Sequence, residues 1–312
     1  MGGSIKVKKE CMNNCKVANM LTINKGLAKK QMIRVSTLPS RKIVTLVNLC
    51  QDKNIQLSCN DISPYDMAGM DAFYTLYKSG YQTFSLQTVI RVMSGNMDQD
   101  ITAQKIARLK ESVEKLRLIL ITIDCTDELR ARKLIKKEET AKYRSYFLPV
   151  SSMEIQSGNQ TVVEGYRLLE LPALYAYAER IKQMISIPIE LLASTEGFLP
   201  DTDENIVLKR YLLKRIARMK KEKATVYSRR IRYEWYDRKA QREKGMFAEL
   251  GYREEDFASR SSWLNKRAKV HKVVKQILDA FRQAGYIAGY SETKEGNTIT
   301  GVEILLGETT EK

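Results

Sequence analysis

One apolar stripe near the C-terminal end constrains the fold more than any other feature. Trp263, Val270, Val274, Ile277 and Phe281 recur at helical spacing between Ser261 or Ser262 and Ala284. Gly285 stands where a left-handed terminal cap belongs. The segments Tyr286–Glu292 and Thr298–Leu306 then read as antiparallel strands around Lys294-Glu295-Gly296-Asn297. Upstream, Asp203 is placed to cap a helix with the stripe Leu208, Leu212, Ile216 and Met219. A further helix near Lys239–Leu250 closes at Gly251. The order is helix, helix, helix, strand, turn, strand.

The first half carries the same order. Met70, Phe73, Tyr74 and Tyr77 predict a helix ended by Gly80. Val89, Ile90 and Met93 predict a second, capped by Thr83 or Ser85. Thr102 caps a third, with Ile106, Leu109, Val113 and Leu116 inward. A strand over Leu118–Ile123 follows, then a charged insertion over 126–142. A hairpin pairs Met153–Gln156 with Thr161–Leu169 around Ser157-Gly158-Asn159, and a helix covers 172–184 with Pro172 in its first turn.

Three helices followed by a β-hairpin is the winged-helix order. The predicted class is therefore α+β, mainly helical, with two tandem winged-helix domains. The predicted boundaries are a basic N-terminal extension over 1–61, a first domain over 62–186, a connection over 187–203, a second domain over 204–307 and a tail over 308–312.

Charge points to a partner. The 312 residues carry 53 Lys or Arg against 37 Asp or Glu, a net +16. Between Asn205 and Lys244, fifteen basic residues stand against four acids. An uncompensated block of that size repels itself unless a polyanion answers it. Arg229, Arg230 and Arg232 lie among Tyr227, Tyr233, Trp235 and Tyr236, an interleaving that suits phosphate contact with packing on sugar or base. From Arg260 to Lys275 there are six basic residues and no acid. Asn265, Lys266, Lys269 and Lys272 fall on the polar side of that helix, where a winged-helix reader meets base edges and phosphates. Lys105 and Arg108 hold the corresponding place in the first half, and Lys294 sits in the second hairpin's turn.

Several chemistries lack their residues. His271 is the single histidine, which removes paired-histidine metal motifs. There is no GxxxxGK[ST], GxGxxG or GxSxG, so no nucleotide cradle or serine elbow is expected. Cys11, Cys15, Cys50, Cys59 and Cys125 are odd in number and poorly spaced for zinc, which fits reduced thiols. No enzyme, metal or cofactor is expected. The opening MGGSIKVKKECMNN lacks the apolar run of a secretory leader, and no apolar run suits a membrane span. A cytoplasmic, nucleoid- or plasmid-associated protein is expected.

The stretches DAFYTLYKSGYQTFSLQTVIRVMSGN and ITAQKIARLKESVEKLRLILITID, with VLKRYLLKRIARMKKEK, RAKVHKVVKQILDAFRQAGYIAGY and ITGVEILL, resemble the plasmid-type replication initiators that bind iterons through two winged-helix domains. The resemblance covers roughly 62–306. It implies binding to repeated double-stranded sites at an origin, recruitment of host replication proteins, a homodimeric form and no ATP hydrolysis. A two-winged-helix transcriptional regulator is the alternative. A tyrosine strand-transfer enzyme is a third, but His271 is followed by Lys272-Val273-Val274 and fails the HxxR pattern.

Overall fold

The helices begin and end where the sequence supplies caps. In the computed structural model, Ser63 opens α1 (Pro64–Lys78) with a reciprocal capping box to Asp66. Ser85 caps α2 (Leu86–Ser94), which ends at left-handed Gly95. Thr102 caps α3 (Ala103–Arg117). The structure describes residues 7–15, 18, 32–34, 45–50, 53–57, 62–124, 126–157, 160–193, 195, 198–200, 202–221, 229–237 and 242–307. The predicted tail over 308–312 lies outside them. The chain is α+β, and it divides into two units, Met1–Ser186 and Ile187–Lys312.

In the first unit β1 (Lys9–Asn13) comes first, then β2 (Met32–Arg34), β3 (Thr45–Cys50) and β4 (Lys53–Leu57), all before α1. The short strand β5 (Thr83–Ser85) separates α1 from α2. After α3 come β6 (Leu120–Asp124), α4 (Thr126–Ala131), β7 (Lys142–Tyr146), β8 (Val150–Ser157), β9 (Gln160–Leu168), α5 (Ala173–Arg180) and β10 (Met184–Pro188). Among the described residues, β5-β9-β8 form one antiparallel sheet and β2-β3-β4-β6-β7 another.

The described residues of 1–61, expected as a basic extension, are built mainly into strands of this unit. Strands β2 to β4 share a sheet with β6 and β7, and β1 is built into the core beside α1. Met12 and Cys15 are fully buried there, and the Asn13 backbone N–H donates to Asp71 Oδ1 at 2.9 Å. Tyr175 Oη donates to the same carboxylate oxygen at 2.6 Å. A buried carboxylate needs such donors. Periodicity missed this because α1 is buried nearly all round, from Tyr65 to Leu76, and so shows no polar side from which to infer a neighbour.

The second unit holds α6 (Glu190–Ala193), α7 (Asp203–Lys221), β11 (Arg230–Arg232), β12 (Trp235–Asp237), β13 (Arg242–Lys244), α8 (Met246–Leu250), a 3-10 turn over Glu254–Asp256, α9 (Arg260–Gln283), β14 (Gly289–Glu295) and β15 (Thr298–Leu305). Its main sheet has the order β11-β15-β14. Three expectations change here. The predicted connection is no open linker, since Ile187, Ile189, Leu191 and Leu192 are buried and Leu192 O accepts from Lys209 Nζ of α7 at 2.7 Å. Thr202, one residue before Asp203, supplies the cap of α7, its hydroxyl accepting from Asn205 N at 3.3 Å. The helix expected from Lys239 begins only at Met246, because Arg242–Lys244 pairs as a strand with Trp235–Asp237.

The two units share a layout. Each has a helix, a short strand, a second helix, a third helix and a hairpin. In each, the short strand pairs with the hairpin's second strand. The first unit inserts β6, α4 and β7 between the third helix and the hairpin.

Candidate nucleic-acid interface

Ser259 fixes the start of α9. Its hydroxyl accepts from Ser262 N at 3.1 Å, and Ser262 Oγ accepts from Ser259 N at 3.2 Å. At 1.5 Å per residue the helix is about 36 Å long. Its inner stripe, Trp263, Val270, Val274, Ile277 and Phe281, is buried. Trp263 is held between Phe247 and Phe257, each with its ring centroid 5.1 Å away.

The opposite face is open. Ser261, Asn265, Ala268 and Lys272 are exposed and succeed one another at intervals of four, three and four residues, so they form one line. Lys269 is exposed on one edge of that line and Leu264 on the other. Asn265, Lys269 and Lys272 thus occupy the expected polar face. Lys266 does not. Its ammonium bonds Glu204 Oε2 at 2.5 Å and lies 4.6 Å from the Tyr252 ring centroid. Burial alone would lower its pKa, but the Glu204 and Tyr252 contacts outweigh it and raise the value. Arg267 likewise turns inward, bonding Glu234 at 2.6 Å and stacking on Phe247. Further along, Lys275 pairs with Glu292 of β14 at 2.7 Å, which ties the hairpin beside the helix.

The other basic candidates divide in the same way. Arg230 Nε bonds Glu303 Oε2 at 3.2 Å across the β11–β15 pair, and Arg229 is half-buried. Arg232 and Lys294 are exposed. With Lys269 and Lys272, they form no ion pair with an acid of the described residues. In the first unit Lys105 is half-exposed, whereas Arg108 is exposed and lies over the Tyr65 ring at 3.8 Å. That face of α3 also carries exposed Glu111, so its sign is mixed.

The basic block from Asn205 is less open than its charge implied. Arg210 is buried, Lys209 Nζ donates to Leu192 O at 2.7 Å, and Lys220 lies 4.0 Å from the Tyr286 ring centroid. Long basic side chains here cover apolar surface with their stems. Of the interleaved aromatics, Tyr233 is core, Trp235 and Tyr236 are exposed, and Tyr227 lies outside the described residues.

His271 packs between Tyr233 and Phe247, its ring centroid 4.0 Å and 6.0 Å from theirs. Its buried Nε2 has no hydrogen-bond partner among the described residues. Burial first, then the charge of Arg267, hold its pKa down to about 4. The unfolded chain takes up this proton as pH falls through about 6.5, and the folded chain does not until about 4. Stability of the second unit should therefore fall between those pH values. Solvent screening of a half-buried ring leaves about 1 kcal/mol between pH 7 and pH 5. Urea midpoints at the two pH values check this, and His271→Phe should remove the His271 share of the difference.

Among the described residues no helix is long and apolar enough to cross a membrane, and no cluster of His, Cys, Asp and Glu could hold a metal. Neither a protein-family model nor a curated protein sequence matches the chain. Two solved structures are similar in layout. A selenomethionine crystal structure of domains 2 and 3 of RctB is 12% identical, with 93% of this chain and 97% of that chain covered and a TM-score of 0.42. A second structure of RctB domains 2–3 is 11% identical, with 88% and 91% covered and a TM-score of 0.41. At these values the likeness is one of general layout, and nothing about function follows from it.

Proposed function

We propose that both units are winged helices and that the chain binds specific double-stranded DNA sites, with α9 as the reading helix and β14–β15 as its wing. The open face of α9 carries this reading. Asn265, Lys269 and Lys272 stand on it, small Ser261 and Ala268 keep it low, and no acid occurs from Arg260 to Lys275. A reading helix of this kind contributes base contacts from its N-terminal turns, while the wing strand beside it reaches backbone. Arg232 and Lys294 are suited to phosphate. In the first unit Arg108 and Lys105 have the corresponding place on α3, with a weaker field because of Glu111.

The role that best fits this reading and the resemblance in the sequence is replication initiation at repeated origin sites of a plasmid or mobile element. Host replication proteins would be recruited there, a homodimer would be one form of the protein, and no strand cleavage would occur. The test is a footprint of the full chain over DNA flanking its own gene. Protected short repeats, with supercoiled DNA left uncut and plasmid maintenance lost on deletion, are expected. Protection confined to a promoter, with replication unaffected, would favour a transcriptional regulator instead.

A further inference from the structure

The open face of α9 carries an apolar element that phosphate binding does not use. Leu264 is 53% exposed, and Ala268, one turn further on, is exposed beside it. A single exposed leucine is ordinary on a protein surface. This one adjoins Asn265 in the second turn of a helix that carries six basic residues and no acid from Arg260 to Lys275. Ser261 and Ala268 are the smallest side chains on that face, so the helix backbone can approach closely whatever it meets. The occupant must then be anionic at its rim and apolar at the floor.

Duplex DNA has that chemistry in its major groove. Phosphates line the rim, and the apolar group on a base edge is the 5-methyl of thymine. Asparagine matches the N6 and N7 pair of adenine. We propose that Leu264 and Ala268 contact thymine methyl groups next to an adenine bonded by Asn265, so that the preferred site contains an A·T step under the start of α9. This rests on α9 being the reading helix.

The test uses the full chain and its best site selected from random duplexes, synthesised with thymine or with uracil at the A·T positions. Uracil keeps every hydrogen-bonding group and lacks only the methyl. The wild-type chain should bind the uracil duplex about fourfold more weakly for each buried methyl that uracil omits. Leu264→Ala should weaken binding to the thymine duplex by a similar factor and shrink the thymine-to-uracil ratio toward one. Lys272→Ala should weaken both duplexes alike and leave that ratio unchanged. Equal wild-type affinity for the two duplexes overturns the proposal while leaving α9 as a reader. So does an undiminished ratio in Leu264→Ala, because the methyl is then read elsewhere. If no preferred site emerges from selection, it is the reading-helix assignment itself that fails.

Discussion

Raising salt from 50 to 200 mM should lower the affinity of the full chain for its duplex site by about 10²-fold or more. Each phosphate neutralised releases condensed counterions, and log affinity falls with log salt at a slope of about −0.9 per contact. Arg232, Lys269, Lys272 and Lys294 are exposed and unengaged by described acids. About four phosphates over a fourfold rise in salt give about 150-fold. The net charge of +16 suggests a steeper response, but Lys209, Arg210, Lys220, Arg230, Lys266 and Arg267 are occupied within the protein or buried. Fluorescence anisotropy across that salt range measures the slope. A flat response would contradict DNA binding through these residues.

Gly245→Ala should destabilise the second unit by about 2–5 kcal/mol. Gly245 has φ +114°, and a Cβ there would lie 2.6 Å from Tyr233 O and 2.9 Å from Arg232 O. Both are backbone atoms of the β11 end, so no side chain can swing aside. Strain of that conformation costs about 1–3 kcal/mol and forced separation a similar amount. The same Tyr233 carbonyl accepts from Phe247 N at 2.9 Å, and Phe247 in turn packs on Trp263 of α9. Crowding at Gly245 therefore reaches the base of the proposed reading helix. Gly285 is the control. Its φ is +68° with open space around the added Cβ, so Gly285→Ala should cost only about 1–2 kcal/mol. Both tryptophans, Trp235 and Trp263, lie in the second unit, and urea unfolding followed by their fluorescence reports that unit alone. Equal losses for the two variants would contradict the crowding at Gly245.

Capping residues and apolar stripes made much of the fold legible. Ser85 and Thr102 cap helices as their sequence predicts, whereas Ser63 and Ser259, the caps of α1 and α9, escape that reading, the latter in favour of Ser261 or Ser262. The segments Ser157-Gly158-Asn159 and Lys294-Glu295-Gly296-Asn297 mark the two hairpins. What escaped was pairing between distant segments. Nothing local to Met32–Arg34 or Thr45–Cys50 announces a sheet shared with Leu120–Asp124 and Lys142–Tyr146, because strand partners are chosen by tertiary contact. The short strands Thr83–Ser85 and Arg230–Arg232 are too brief for a period-two signal. The site was legible by half. Asn265, Lys269 and Lys272 lie opposite the inner stripe and could be found by counting. Lys266 and Arg267 sit at its flanks, where acids from α7 and from the β11–β12 turn decide their fate. Leu264 and Ala268 went unnoticed because apolar residues near a stripe read as core, although the four-three-four spacing through Asn265 already placed Ala268 outside.

The central claim is that α9 reads bases, and Asn265→Ala tests it most directly. The variant and the wild-type chain are titrated against the selected duplex and a scrambled duplex of equal length, with circular dichroism as the folding control. A base-reading α9 predicts a loss of about 1–3 kcal/mol on the selected duplex and little change on the scrambled one, because one bidentate base contact is removed and every phosphate contact is kept. Equal losses on both duplexes, or none on either, would contradict it.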